Sequence, residues 1–472
     1  MANSKTSEVK IAALVLNWNK KNELISLLND LSHIKEPIFD IFVVDNASQD
    51  KSVEAVRLNF PKVNIFINSE NLGGTGGFNS GIIQILKNVN YEYIWLLDND
   101  VRVISTTLEK LLKVIESDPK IGMVGSRILD IDSPRITVET GSSLRWDMIG
   151  VDPLNRNVTG TIEETIEVDY VAICSAIVRV EAIKKVGLMD QRFFLLWDDM
   201  EWGLSFKERG YKVLAAADSI VYHASFTERA RGTATNFYYG IRNPLLVYSK
   251  HTKLIRRASI FYQSLRYYLR VYLFLKISGK KEETFLMRKA VRDFMKNQWG
   301  IISCSNGLNK KNSYNSRSLL KSIPKPFFSY KKIIISTVAN SRDSIEKMIA
   351  FFEENAPKAD IHILAKNDRT VFFKRHPIFL IDRSKMKNIV YIFSQFIRLK
   401  SGGFDAMACC TPSPFTYATP TAIIFNDNGK IENVIKTDAS SFLHLISIIV
   451  ASELLSVGLL PLLLFKSITY DH

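Results

Sequence analysis

Residues 9–16, 38–44, 63–67 and 93–97 are four short apolar runs, and each one stops abruptly at polar residues. They are apolar at nearly every position rather than at alternate ones, so they read as strands buried on both faces. Segments with helical periodicity lie between them. Strand and helix alternating at this interval constrain the chain to a doubly wound, mostly parallel α/β sheet. Such a sheet presents its functional side chains at the C-terminal ends of the strands, where ligands bind in the crevice.

The fourth run ends in Asp98-Asn99-Asp100. Two carboxylates one residue apart can hold a hard divalent cation against a diphosphate, although the triplet alone is equally an ordinary polar turn. The first run ends at Asn17 and the second at Asp45. A carboxylate at Asp45 can accept hydrogen bonds from a base or ribose, and Asp45-Asn46 also suits a plain turn. Asp50 is placed to cap the helix that follows. After the third run, five glycines fall between Gly73 and Gly81. They let backbone approach a phosphate or sugar, with a helix expected after them to about residue 88. No Gly-Lys-Ser/Thr follows, and no G-x-G-x-x-G follows the first strand, which argues against a P-loop NTPase and an NAD enzyme. A flexible loop is the plain alternative.

A helix over 108–115 and a strand over 121–126 come next, then a polar excursion to residue 167 and an apolar stretch over 168–180. The run Phe193–Trp197 feeds Asp198, Asp199 and Glu201. Helical spacing puts Asp198 and Glu201 on one face and turns Asp199 away by about 100°. With Phe194, Trp197 and Trp202 nearby, one of these acids can have the raised pKa of a general base. Acids at a helix N-terminus also simply complement its dipole. Short strands are expected at 211–216 and 219–222, followed by His223. It is either structural or a third ligand for a cation, and an imidazole with two carboxylates suits Mn²⁺ at least as well as Mg²⁺.

Taken together and in order, Asn17-Trp18-Asn19, Asp45-Asn46-Ala47-Ser48, Asn71-Leu72-Gly73-Gly74, Asp98-Asn99-Asp100 and Trp197-Asp198-Asp199 resemble the GT-A glycosyltransferases of family 2. The likeness is nearest to the galactofuranosyltransferase and rhamnosyltransferase branch and covers about residues 9–250. An aromatic segment ending in Arg242-Asn243 belongs to it. The resemblance implies that Asp98 and Asp100 bind the cation on the donor diphosphate and that His223 completes the ligand set. It implies that Asp45 contacts the nucleobase or ribose, and that Asn71, Gly73 and Gly74 border the donor sugar or diphosphate. Asp199 would take the acceptor proton, with Asp198 as runner-up, and Trp197 would wall a sugar ring. The galactofuranosyl enzymes favour another acid where this chain has Asn99.

Between Arg242 and Lys332 there are 21 Lys and Arg against three acids, so the net charge of +14 belongs to one region. Phe261, Leu265, Tyr268, Leu269 and Tyr272 share a helical face. Lys253, Arg256, Arg257, Arg266 and Arg270 are expected on the opposite half, the pattern of a helix on an anionic membrane surface, or else of one whose aromatic face packs on the catalytic domain and whose basic face is solvated. No nucleic-acid-binding signature accompanies it. The expected domains are 1–245 (catalytic), 246–330 (basic and helical) and 331–472, a small α/β module. That module contains a turn at Asn426-Asp427-Asn428-Gly429 and ends in an apolar stretch over 442–465, read as a buried or interfacial helix. Residues 306–318 read as a linker. Four cysteines fit neither a disulfide framework nor a metal pattern, and no signal peptide is read at the start, so the expected location is the cytoplasmic face of the cell membrane. The expected activity is inverting transfer of a sugar from a UDP- or dTDP-linked donor to a glycan or lipid-linked glycan. A nucleotidyltransferase or a non-catalytic glycan- or nucleotide-binding protein are the alternatives.

Overall fold

The structure is a computed structural model. It describes residues 11–87, 91–223 except 157 and 163, 234–277, 280–302, 330–336, 342–366, 378–381, 404, 406–409, 421–425, 431–436, 452 and 455–463. It divides into two compact units. The first comprises Met1–Ser225, Tyr239–Thr252 and Lys296–Ile302, and the second Phe226–Tyr238, Lys253–Met295 and Ser303–His472.

The first unit opens with β1 (Ile11–Asn17), α1 (Lys21–Ser32), β2 (Phe39–Asp45), α2 (Ser52–Asn59), β3 (Asn64–Ile67), α3 (Gly73–Leu86) and β4 (Tyr93–Asp98). It continues with β5 (Arg102–Val103), α4 (Thr107–Glu116), β6 (Ile121–Asp130), β7 (Thr137–Glu139), β8 (Ser142–Leu144), β9 (Val151–Pro153) and β10 (Thr165–Glu167). β11 (Ser175–Arg179), α5 (Val180–Val186), α6 (Asp198–Glu208) and β12 (Lys212–His223) follow, and then the helix Ala234–His251 from Tyr239 onward. The sheet runs β10-β12-β6-β11-β4-β1-β2-β3, with β5 on β12 and β7 on β6. β4, β1, β2 and β3 are mutually parallel, as are β6 and β12; β11 is antiparallel between β4 and β6. Strand order reverses at β1, which opens a crevice beyond the ends of β1 and β4.

Alternate residues of the buried strands feed two cores. Ile11, Ala13 and Val15 of β1 with Trp95 and Leu97 of β4 face Leu24, Leu28 and Leu31 of α1 and Leu108 and Leu111 of α4. Ala12 and Leu14 with Ile94 and Leu96 face Phe78, Ile82 and Ile85 of α3 and Trp202 and Phe206 of α6. Each such fully buried side chain contributes roughly 1.5–3 kcal/mol, which outweighs the local propensities wherever the two disagree.

They disagree in α3. The glycine stretch expected as a loop before a helix is itself the helix. Glycine is a poor helix former, but here it lets α3 lie directly on the sheet. A Cβ on Gly77 would sit 2.4 Å from Leu16 and 2.7 Å from Asn46, and one on Gly81 would sit 2.7 Å from Leu14 and Val44. The two short strands expected near 211–222 are one strand, β12. Its register breaks between Ala216 and Ile220, where Ser219 bonds Ser126 and the Thr107 carbonyl. Asp50 is not the cap of α2, a position Lys51 takes; it lies one residue earlier and accepts from the Ser52 amide, and from the Lys21 amide at the start of α1.

The second unit holds the helices Leu254–Ile277 and Lys281–Met295, a sheet and the helix Arg342–Asn355. Its strands are β13 (Lys332–Ser336), β14 (Asp360–Lys366), β15 (Ile378–Ile381), β16 (Ala406–Cys409), β17 (Thr421–Phe425) and β18 (Ile431–Lys436). They run β15-β14-β13-β16-β17-β18, all parallel save β18. Ile333, Ile335, Met348, Phe352 and Ile363 centre its core.

The basic helix departs from expectation. Arg257 and Arg270 are buried along with Phe261 rather than facing outward. Arg270 Nε donates to Ser452 Oγ at 3.2 Å, and such a partner is what makes a buried cation tolerable. The linker over 306–318, the turn at 426–429 and most of the stretch over 442–465 lie outside the described residues. Of that stretch, 455–463 is helical, with Leu455, Val457 and Leu462 exposed. Among the described residues no helix is long and apolar enough to cross a membrane.

Candidate functional site

The ends of β1, β2 and β4 are tied into one network. Asn17, fully buried, donates from Nδ2 to Asp45 Oδ1 at 2.9 Å and to Ser48 Oγ at 3.2 Å. Its Oδ1 accepts from Asn99 Nδ2 at 2.7 Å. This gives Asn99 a physical reason: an aspartate there would set acceptor against acceptor in a buried position. Asp45 Oδ2 accepts from the Ser48 amide at 2.8 Å, and the residue is 1% exposed. Its carboxylate is thus first of all the organiser of the turn after β2, with only its remaining lone pairs available to a ligand.

Asn46 continues the network. It donates to the Gly73 carbonyl at 2.8 Å and accepts from Asn68 at 2.7 Å. Asn71 Oδ1 accepts from the Gly73 amide at 2.8 Å and so fixes the entry to α3. Gly73 has φ +73, and a Cβ there would meet the Phe194 carbonyl at 2.1 Å, so this position accepts only glycine. Gly74 lies beside Leu195 and Asp198.

Beyond β4, one ligand atom each from Asp98, Asp100 and His223 lie within 4.8 Å of one another. His223 Nε2 is 3.0 Å from Asp100 Oδ1, and Lys20 forms an ion pair with the other oxygen of Asp100. Burial and the neighbouring Asp100 charge push the Asp98 carboxyl up to about 6. Burial works the same way on Asp100, but His223 and Lys20 overcome it and hold that carboxyl below its ordinary range. Burial depresses the imidazole of His223, yet its bond to Asp100 leaves it raised. Two carboxylates and an imidazole brought together from separate segments form a donor set that fits a divalent cation.

The three acids of α6 separate as the helical spacing requires. Asp198 is buried and accepts from Thr75 Oγ1 at 2.7 Å. Glu201 is buried and takes Lys250 Nζ at 2.6 Å, with His251 3.4 Å away, so it serves an internal ion cluster. Asp199 has neither anchor and accepts from the Met200 amide at 2.9 Å. Burial, then the charges of Asp198 and Glu139, raise its carboxyl well above the usual range. Trp197, just before it, has its ring 6.3 Å from Tyr248, which in turn lies 5.9 Å from Trp146.

The sequence had offered no sign of Glu139. It sits on β7 within the polar excursion, accepts from Ser142, and is raised by burial. Nothing in the sequence marks Lys20 either, and Arg242 and Asn243 stand out there only as the end of an aromatic segment.

Residues 13–187 match the family model described as "Glycosyl transferase family 2". The chain is 22% identical over 266 residues to the galactofuranosyltransferase GlfT2 of Mycobacterium tuberculosis, which covers 51% of this chain and 41% of that one. It is 24% identical over 199 residues to the galactofuranosyltransferase GlfT1 of Mycolicibacterium smegmatis, covering 41% and 65%. The chain thus spans less than two thirds of either relative. Among solved structures, the mannosyltransferase PcManGT of Pyrobaculum calidifontis, in complex with GDP-Man and Mn²⁺, aligns with a TM-score of 0.39 and 16% identity. The alignment covers 52% of this chain and 64% of that one. The strand order and the family match agree on an α/β sheet of the GT-A type. Residues 13–187 thus match the family 2 glycosyltransferases, and the chain is similar to galactofuranosyltransferases.

Proposed function

We propose that this chain transfers a sugar, of galactofuranose or rhamnose type, from a UDP- or dTDP-linked donor to a hydroxyl of a glycan or lipid-linked glycan, with inversion. One observation carries the reading. Asp98, Asp100 and His223 converge at the strand ends, and the charge of Asp98 reaches the raised carboxyl of Asp199.

In this reading Asn17, Asp45, Asn71, Gly73 and Gly74 shape the donor side, and Trp197 offers an apolar wall to a sugar ring. Asp98, Asp100 and His223 would hold Mn²⁺ or Mg²⁺. Bound there, the ion supplies Lewis-acid neutralisation of charge on the diphosphate. Asp199 accepts the proton of the attacking hydroxyl. The hydroxyl oxygen forms the new bond to the anomeric carbon, the bond from that carbon to the diphosphate breaks, and its electron pair leaves with the nucleoside diphosphate. A carboxylate whose pKa is raised takes a hydroxyl proton more readily than an ordinary one. Asp198, held by Thr75, is the runner-up.

A panel of UDP- and dTDP-sugars, assayed for hydrolysis and transfer, tests the donor. Asp199→Asn should lower transfer about 1000-fold and keep donor binding. Full activity in that variant would remove Asp199 from the mechanism and leave Asp198 to be tried. A protein that only binds glycans or nucleotides would show binding without turnover in either form.

The same reading places the chain peripherally on the anionic cytoplasmic face of a membrane. The basic excess between Arg242 and Lys332 supports it, as do the exposed Leu254 and Ile255 beside the exposed Lys253. Co-sedimentation with phosphatidylserine vesicles that weakens with salt is expected. Binding indifferent to lipid charge would refute it.

A further inference from the structure

The loop before α6 adopts an unfavourable backbone. Phe194, Leu196 and Trp197, none of them glycine, have φ of 65, 66 and 66°. Three left-handed residues within four positions persist only where the surroundings over-determine them.

The surroundings come from two adjacent, buried residues of the helix Ala234–His251. Asn243 Nδ2 points its two hydrogens at three carbonyls of the loop: Phe193 at 3.0 Å, Leu195 at 2.7 Å and Leu196 at 2.8 Å. Arg242 Nη2 donates to the Arg192 and Phe193 carbonyls, each at 3.0 Å, and Nη1 to the Gly300 carbonyl at 3.1 Å. Its Nε donates to Asn243 Oδ1 at 2.9 Å, which fixes the way the amide faces. The guanidinium lies 4.8 Å from the ring centroid of Tyr239 and 5.5 Å from that of Trp299, and Tyr239 stacks on Phe194 at 5.6 Å. From the other side the Thr75 amide donates to the Phe194 carbonyl at 3.3 Å.

Packing one helix on a loop needs none of this specificity. A planar fork and an amide that together bind four successive or near-successive carbonyls select one backbone path. The selected path ends at Trp197 and Asp198, so it sets where α6 begins and where Asp199 faces.

We propose that Arg242 and Asn243 are positioning residues, a clamp that stores the left-handed path of residues 193–197 and thereby presents Trp197 and Asp199 to the acceptor. This rests on the reading of Asp199 as the base. Asn17 and Asp45 of the donor side, and Asp100 with His223, are set by bonds that do not involve this loop, so losing the clamp should largely spare donor binding.

The test uses the full chain with Asn243→Ala and, separately, Arg242→Lys. Amide exchange over residues 193–198 should quicken at least about tenfold in both, with exchange over β1, β2 and β4 unchanged. Transfer kcat should fall about 100-fold while the donor KM stays within about threefold, a split that general loss of structure does not give. Unchanged exchange in the loop, or kcat and KM changing in proportion, overturns the proposal. If Asn243→Ala yields no folded protein, Leu196→Gly is added to it. Recovery of folded protein supports the clamp, because glycine accepts that φ freely, and failure to recover counts against it. A parent chain without transfer activity would sink the glycosyl-transfer reading alone, since exchange decides the clamp independently.

Discussion

Each unit contains an aspartate paired with an imidazole on a parallel-rich sheet, and the two pairs have opposite settings. In the second unit His362 Nε2 lies 2.7 Å from Asp360 Oδ2, two residues apart at the start of β14, with the aspartate side chain 59% exposed. In the first, Asp100 and His223 are 123 residues apart, lie at the C-terminal ends of strands, and have Asp98 beside them. The local pair comes with the chain's own geometry. The distant one requires the whole sheet to be formed and gathers a third ligand in doing so. The described strand ends of the second sheet show the same contrast: Ser336, Lys366, Ile381, Cys409 and Phe425 stand where the first sheet has Asn17, Asp45, Asp98 and His223. The same architecture supplies the crevice in both cases, and only residue identity supplies chemistry.

The contrast breaks most directly at the proposed metal ligands. Chelation with EDTA should reduce transfer to background, with Mn²⁺ or Mg²⁺ restoring it, and Asp98→Asn should cost at least about 100-fold in kcat/KM with either ion. Activity that survives chelation would make the Asp100–His223 pair as incidental as the one in the second unit. The pH profile sharpens the comparison next. Because the Asp199 carboxyl is raised, it protonates earlier as pH falls. The acidic limb should therefore lie above the ordinary carboxylate range and fall about tenfold per pH unit. Glu139→Gln removes one cause of the raised value, so the limb should move to lower pH; a limb that stays in place would detach Glu139 from the site.

Smaller effects test the scaffold. Gly77→Ala should cost roughly 1–3 kcal/mol of stability through overpacking, read as a lower unfolding midpoint in urea. Smallest of all, His362→Ala in the second unit should leave transfer within about twofold of the parent, and a larger loss would show that the second sheet does more than its strand ends display.

The strand ends were legible because runs buried on both faces carry their own boundaries: an apolar segment halts, and the next residue faces the crevice. Helical spacing likewise separated Asp199 from Asp198 and Glu201. It failed for Arg257 and Arg270, because periodicity fixes the angle between side chains and not which side another element will cover. The glycines of α3 were unreadable as helix for a related reason. Propensity is a local quantity, and what overrode it was contact with Leu14, Leu16 and Val44, residues far away in the chain. Glu139 had no signal at all, since a three-residue strand in a polar stretch has no periodicity to read.

Gly77 and Asn46 also bear on how this protein tolerates change. The amide that a side chain at Gly77 would strike is the one that bonds the Gly73 carbonyl at the entrance to α3. A substitution there pushes on Leu16 and Asn46, and through Asn46 on the proposed donor side. In a survey of random variants, damage at Gly77 should register as weakened donor binding in molecules that still fold, and a map of the pocket drawn from such data would include a position that no ligand touches.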